Sequence, residues 1–207
     1  VSPVSFSNLT SDEIKMRYSA EDVPMILSSE PGVWAYSESG NGTGYSYVTI
    51  RGFDQSRIAV FFDGVPLNDN ESHQVYWVDH GDLLSDVDNI QIQRGIGNNL
   101  YGSSAFGGSI NVNTKIASDE REISGTIGSG DWNTQKIRAS YRSGSDLGDD
   151  LSLAVRLSDI KSDGYRQFHD SYQRGFSLGL EHRGKAINQF RALIGYENTD
   201  LLWDGIY

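Results

Sequence analysis

The sequence predicts an α+β domain over residues 1–115, followed over residues 116–207 by antiparallel strands of a transmembrane β-barrel. Three observations carry this reading. The first part mixes helix-start signals with short apolar runs and Gly-rich loops. The second repeats a two-residue alternation over segments of about ten residues. Glycine is abundant at 23 residues and aromatics reach 11 %, against only 4 prolines, a mixture that favours strands and turns over a helical bundle.

Composition excludes several classes. The 207 residues hold no cysteine, so disulfide scaffolds, thiolate metal sites and cysteine nucleophiles are absent. Acidic side chains outnumber basic ones 28 to 17, and a formal charge of −11 speaks against a nucleic-acid partner, which needs clustered Lys and Arg. The longest apolar stretch, Ile58 to Phe62, is far short of the roughly 20 residues of a spanning helix. Val1 to Thr10 is polar and uncharged, with no signal-peptide pattern, and reads as mature or trimmed sequence.

In chain order, Thr10 with Glu13 and Ser19 with Asp22 have capping-box spacing, predicting two short helices, the second stopped near Glu30 to Gly32 by Pro31 and Gly32. Val48 to Arg51, Arg57 to Asp63 and Ile90 to Arg94 read as strands. Ser37 to Ser46 and Gly95 to Gly108 read as Gly-rich loops, and Asp63-Gly64 as a turn. Residues 1–115 hold 14 acidic against 6 basic side chains, so most of the negative charge lies here.

Beyond Lys115, four segments place an aliphatic or aromatic row opposite a polar one. Leu151, Leu153, Val155 and Leu157 oppose Ser152, Arg156 and Ser158. Phe176, Leu178 and Leu180 oppose Ser177 and Glu181. Phe190, Ala192, Ile194 and Tyr196 oppose Arg191 and Glu197, and Ile137, Ala139 and Tyr141 oppose Lys136, Arg138, Ser140 and Arg142. Ile123 to Gly130 is a weaker fifth. A soluble β-domain also alternates, so both architectures stay open on periodicity alone; strands of 9 to 11 residues fit a membrane barrel better than a sandwich.

The stretches VTIRGFDQSRIAVFFDGVPLND and IQIQRGIGNNLYGSSAFGGSINVNTK resemble the plug domain of TonB-dependent outer-membrane receptors. The resemblance covers residues 1 to about 115, with SNLTSDEI and ILSSEPGV fitting the opening helices. The following residues look like the first strands of the barrel. The chain departs from the family at Gln91, where a Glu is usual, and at Ile96, where a Pro is usual.

The resemblance implies a 22-stranded barrel closed by an N-terminal plug, of which this sequence is a fragment. Five strands cannot close a barrel, so the remaining strands come from a second chain or from residues beyond Tyr207. Implied too are the bacterial outer membrane as location, energised import as activity, and TonB, a small-molecule ligand and membrane lipid as partners. The favoured cargo is a ferric siderophore-type chelate. Haem, cobalamin or oligosaccharide import on the same fold is the alternative, as is a non-transporting secreted sugar-binding β-protein.

Arg51 and Arg94 each stand beside glycine, where backbone can approach a wall and a guanidinium can form paired bonds to a carboxylate. By resemblance they lock plug to barrel glutamates; the alternative is pairing within the plug or facing water. The resemblance implies that the plug's upper loops face the ligand, and mapped by motif order these loops make Gln55, Arg57, His73, Tyr76, Trp77 and His80 the candidates, offering aromatic faces, imidazoles and a guanidinium. Tyr76 and Trp77 are adjacent, so on a strand one of them is core. His73 and His80 lack a third metal ligand, so no protein metal site is expected and any iron arrives inside the ligand. Gly95 to Gly102 lacks the Gly-Lys-Ser of a phosphate loop, and neither Asp69 to Glu71 nor Asp149-Asp150 has calcium-loop spacing. No catalytic triad stands out and Ser103-Ser104 has no base nearby in sequence, so no enzyme or cofactor is expected.

Overall fold

The computed structural model of the protein describes residues 5–95, 106–116, 118, 120–144, 146–148, 150–183 and 187–199. The chain divides into two compact units, Val1–Thr114 and Lys115–Tyr207. Most of the predicted Gly95–Gly108 loop, including Ile96 and Ser103-Ser104, lies outside the described residues, as does Asp149.

The first unit begins with β1 (Ser5–Thr10) and α1 (Ser11–Arg17). Here the predicted capping box forms: the Glu13 amide donates to Thr10 Oγ1 at 3.4 Å, and the Thr10 amide donates to Glu13 Oε2 at 2.8 Å. That backbone bond holds the Glu13 carboxyl below its ordinary pKa. The second box does not form. α2 is confined to Val23–Leu27 and starts from Asp22, with Pro24 in its first turn. The Asp22 carboxylate instead accepts from Ser46 Oγ at 2.6 Å. The helix also ends earlier than Pro31 and Gly32 imply. Ser28 and Ser29 donate their hydroxyls to the carbonyls of Met25 (2.6 Å) and Ile26 (2.9 Å), competing with a further turn.

There follow β2 (Val33–Ser37), β3 (Ser46–Ile50), β4 (Ile58–Phe62), β5 (Val65–Pro66), β6 (Val87–Arg94) and β7 (Gly108–Thr114). β2 and β3 form a separate antiparallel hairpin. The other strands form one sheet in the order β1-β6-β7-β4-β5, with β4 and β7 parallel. Its registers put Leu9 opposite Ile90, Ile90 opposite Val112 and Ile110 opposite Val60, so alternate side chains stack into one apolar face. Ile14, Val23, Ile26 and Leu27 of the helices, with Val48, Ile50 and Trp77, cover it. Gly108 (φ 152°) is required where β7 begins, because a Cβ there would run into the Gln93 carbonyl.

The second unit is a five-stranded antiparallel meander of β8 (Glu122–Ser129), β9 (Gln135–Arg142), β10 (Leu151–Ser162), β11 (Ser171–Arg183) and β12 (Ile187–Thr199). β11 and β12 each run 13 residues, longer than a typical soluble strand. The two faces are inverted relative to a soluble sheet. Lys136, Ser152, Arg156, Ser158, Gln173, Ser177 and Glu181 lie on the covered face, while Ile123, Ile127, Ile137, Leu157, Phe190 and Ile194 are exposed. Ser124 and Ser140 hydrogen-bond at 2.6 Å, Arg138 donates to Thr126 Oγ1 at 3.2 Å and Arg142 pairs with Glu122 at 3.1 Å, so polar side chains on the covered face meet one another across strands. Ile160, at 1 % exposure, is a buried apolar side chain on that face. Among the described residues no helix is long and apolar enough to cross a membrane.

Candidate functional site: plug loops and paired arginines

Three segments converge around β3. The 3-10 turn Gln55–Arg57 and the 3-10 turn Trp77–His80 both pack against it, and its own hairpin loop closes from Ser37 to Ser46. Gln55 Nε2 donates to Gln74 Oε1 at 3.0 Å and joins the first turn to the loop that precedes the second. Asn68 fastens that loop to β4: its Oδ1 accepts from the Val60 amide at 2.8 Å, and its Nδ2 donates to the Ile58 and His73 carbonyls, both at 2.9 Å. Asp69 shapes the tip, accepting from the Ser72 amide at 2.7 Å and its hydroxyl at 2.9 Å. The Ser72 amide is the main cause that lowers the Asp69 pKa. Among the described residues no group of acidic, histidine or cysteine side chains is arranged to hold a metal ion.

This scaffold sorts the candidates. Arg57, His73 and Tyr76 are exposed, and the Tyr76 hydroxyl donates to Ser72 Oγ at 3.4 Å. His73 occupies a left-handed position (φ 58°) at the loop tip. Trp77 is the member of the adjacent aromatic pair that enters the core, at 1 % exposure, and its Nε1 has no hydrogen-bond partner among the described residues. Gln55 is buried too, so it braces the loops from inside and offers nothing to the surface. His80 is half-buried; burial lowers its pKa, and the Asp79 charge opposes the shift.

Arg51 and Arg94, 43 positions apart in sequence, meet around Gly32. A Cβ on Gly32 (φ 74°) would lie 3.7 Å from Arg51 Cγ and 3.9 Å from Arg94 Cδ. The Arg51 amide donates to the Gly32 carbonyl at 2.8 Å. Arg94 is held by neutral acceptors: Ser5 Oγ at 3.1 Å, Ser7 Oγ at 2.8 Å and the Pro31 carbonyl at 3.2 Å. Among the described residues neither guanidinium meets a carboxylate, so one end of the unit presents two adjacent cations without a counter-charge.

Sequence reading passed over an aromatic row on the β2–β3 hairpin. Tyr36 stacks on Tyr47 at 4.9 Å and meets Trp34 at 5.0 Å, and Trp34 is 59 % exposed. Its signal was the alternation Trp34-Ala35-Tyr36 across a Gly-rich loop from Tyr45-Ser46-Tyr47, which marks a hairpin with one aromatic face. Burial, then the bond to Glu38 at 2.9 Å, push the Tyr47 phenol well above its ordinary pKa.

The family model described as TonB-dependent Receptor Plug Domain matches residues 1–109. The chain is 32 % identical over 142 residues to "Vitamin B12 transporter BtuB" of Vibrio vulnificus, covering 68 % of this chain and 22 % of that protein. It is 27 % identical over 208 residues to "Ferric enterobactin receptor PirA" of Pseudomonas aeruginosa, covering 94 % of this chain and 27 % of the relative. Thus it spans about a quarter of the length of these curated relatives. The pyoverdine outer membrane receptor FpvA of Pseudomonas aeruginosa PAO1 superposes with a TM-score of 0.75 at 14 % identity, over 96 % of this chain and 28 % of that one. The ferric-catecholate import receptor Fiu of E. coli K12 does so with a TM-score of 0.75 at 18 % identity, over 96 % and 28 %. These superpositions share the α+β unit and the antiparallel strands after it, in agreement with the fold class read from sequence.

Proposed function

This chain belongs to the TonB-dependent receptor plug family, and from that premise we propose that it is the plug and first wall strands of an outer-membrane importer whose cargo is a ferric siderophore-type chelate. The observation that carries the membrane part is the inverted sheet: Arg156 is 3 % exposed while Leu157, its neighbour, is 56 % exposed. A face of that kind fits hydrocarbon outside and a polar lumen within. The remaining wall strands come from residues beyond the sequence or from a second chain. The family is one of receptors, and no catalytic step is assigned.

A lumen of that width needs a stopper that can move. Polar, partly hydrated contacts seal without the free-energy cost of exposing a dry apolar interface during rearrangement. Arg51 and Arg94, clustered and without a carboxylate partner among the described residues, suit a lock onto wall glutamates. TonB is the partner that supplies energy. Of the six candidate residues, Arg57, His73 and Tyr76 are exposed and are assigned to the ligand; Gln55, Trp77 and His80 hold those loops in shape.

A ferric chelate is favoured because the siderophore-receptor relative aligns over 94 % of the chain. Cobalamin is the second reading, favoured by 32 % identity to a vitamin B12 transporter. Uptake of radioiron chelates and of labelled cobalamin by cells with and without the gene decides between them. Loss of chelate uptake alone supports the first reading; loss of cobalamin uptake alone replaces it.

A further inference from the structure

We infer that the outward face of the second unit holds a site for an anionic, phosphate-bearing lipid, with the phosphate at Lys161 and Arg174 and an acyl chain in the groove beneath. The inference rests on the barrel reading, which puts lipid against this face. It goes further by naming the lipid class and the residues that select it.

The β10–β11 register sets Asp159 opposite Arg174 and Lys161 opposite Tyr172, so four side chains form a two-by-two patch on the outward face. Arg174 Nε donates to Asp159 Oδ2 at 2.9 Å, and the Tyr172 hydroxyl donates to the same oxygen at 2.9 Å. The guanidinium carbon lies 4.8 Å from the centre of the Tyr172 ring. Arg174 is therefore oriented by two neighbours while 64 % of its side chain stays exposed. Asp159 pairs with Arg174, and Lys161 has no acidic partner among the described residues, so these four side chains together carry one more positive than negative charge. A fixed guanidinium with an ammonium beside it matches a phosphate diester, which one carboxylate-paired arginine alone would not.

Below the patch runs a groove of about 510 Å³ lined by Ile137, Ala139, Leu157, Phe176 and Ile194. It has room for a length of hydrocarbon, far more than the ~30 Å³ share of one water. The height also fits. Outward residues of β11 run from Tyr172 through Phe176, Leu178 and Leu180 to His182; ten residues at ~3.3 Å and a tilt of ~45° span roughly 25 Å, the height of an outer-membrane apolar band. Tyr172 and Arg174 thus stand at one margin of the band, where phosphate head groups lie, and the groove opens from them toward its middle.

The test uses the full-length receptor in detergent micelles and native mass spectrometry with dioleoyl-phosphatidylglycerol and dioleoyl-phosphatidylcholine. Wild type is expected to bind phosphatidylglycerol on the order of tenfold better than phosphatidylcholine, since each basic residue near a lipid surface contributes a several-fold preference. Lys161→Gln should remove about threefold of that. Asp159→Asn with Arg174→Gln and Lys161→Gln, which leaves no lone carboxylate in lipid, should abolish the preference. Heat-modifiable gel migration reports whether each variant is folded, and Lys161→Gln, outside the ion pair, keeps the test alive if the triple variant is not. Equal binding of the two lipids, a preference retained in the variants, or a second copy of the receptor seated on the groove would overturn the site while leaving the import reading standing. A receptor that stays water-soluble without detergent would overturn both.

Discussion

Arg156 and Leu157 are consecutive on β10, yet the arginine lies on the covered face and the leucine on the open one. The same division recurs at Lys136 and Ile137 on the neighbouring strand. In water this arrangement would cost the exposure of each aliphatic side chain, about 1.5–3 kcal/mol apiece, and the dehydration of each charge. In lipid the first cost disappears, and cross-strand partners such as Arg142 with Glu122 and Arg138 with Thr126 reduce the second.

The open face is therefore where a charge is least tolerated. Leu157→Lys should destabilise the folded receptor in vesicles by about 2–4 kcal/mol, the cost of a basic residue near the middle of the apolar band. Leu157→Ile should cost under about 1.5 kcal/mol. Reversible denaturant unfolding in lipid checks both.

Adjacent aromatics should separate binding from folding. Tyr76→Ala removes an exposed ring and should weaken binding of the chelate proposed as cargo several-fold with little change in stability. Trp77→Ala empties a 1 %-exposed core position and should cost about 3–5 kcal/mol. Ligand titration and thermal unfolding of the two variants, measured side by side, test the division; a Tyr76→Ala receptor with unchanged affinity takes that residue out of the ligand site.

Asp63 closes the turn after β4 in a left-handed conformation (φ 48°), and its two carboxylate oxygens accept from the Thr114 amide and hydroxyl, each at 2.7 Å. Asp63→Ala leaves both donors without that partner and strains the backbone, so a loss of about 2–3 kcal/mol is expected. Asp63→Gly relieves the strain and should lose less. Amide hydrogen exchange at the end of β7 reads the difference.

His80 gives the plug a pH dependence of known sign. Burial keeps its pKa below the unfolded value of about 6.5, so the unfolded chain takes up the proton first. Its contribution to stability is complete above that pH and declines as pH falls toward the lowered folded value. His80→Gln should flatten the change in urea midpoint between neutral and mildly acidic pH; an unchanged slope would assign the dependence elsewhere.

Sequence reading succeeded where the cause is local. The Thr10–Glu13 cap is satisfied within one helical turn, and the row Leu151 to Leu157 states its faces by alternation alone. It failed where partners are distant. β1 has a single buried apolar side chain, Leu9, and exists because β6 pairs with it from Asn89 to Arg94. Asp22 looked like the acid of a second capping box, but Pro24 sets the helix start and Ser46 takes the carboxylate. In the candidate site, the exposure of Tyr76 against Trp77 and the inward turn of Gln55 follow from packing on β3, which spacing does not encode. The meeting of Arg51 and Arg94 at Gly32 likewise joins two motifs through a third segment.

The central claim is that the aliphatic row of the second unit faces hydrocarbon. Single cysteines introduced at 156 and at 157 in a cysteine-free receptor, labelled with an environment-sensitive fluorophore and reconstituted with brominated lipid, measure it directly. Strong quenching at 157 with little at 156 is the expected result. Quenching at 156 and a water-exposed label at 157 would contradict the account.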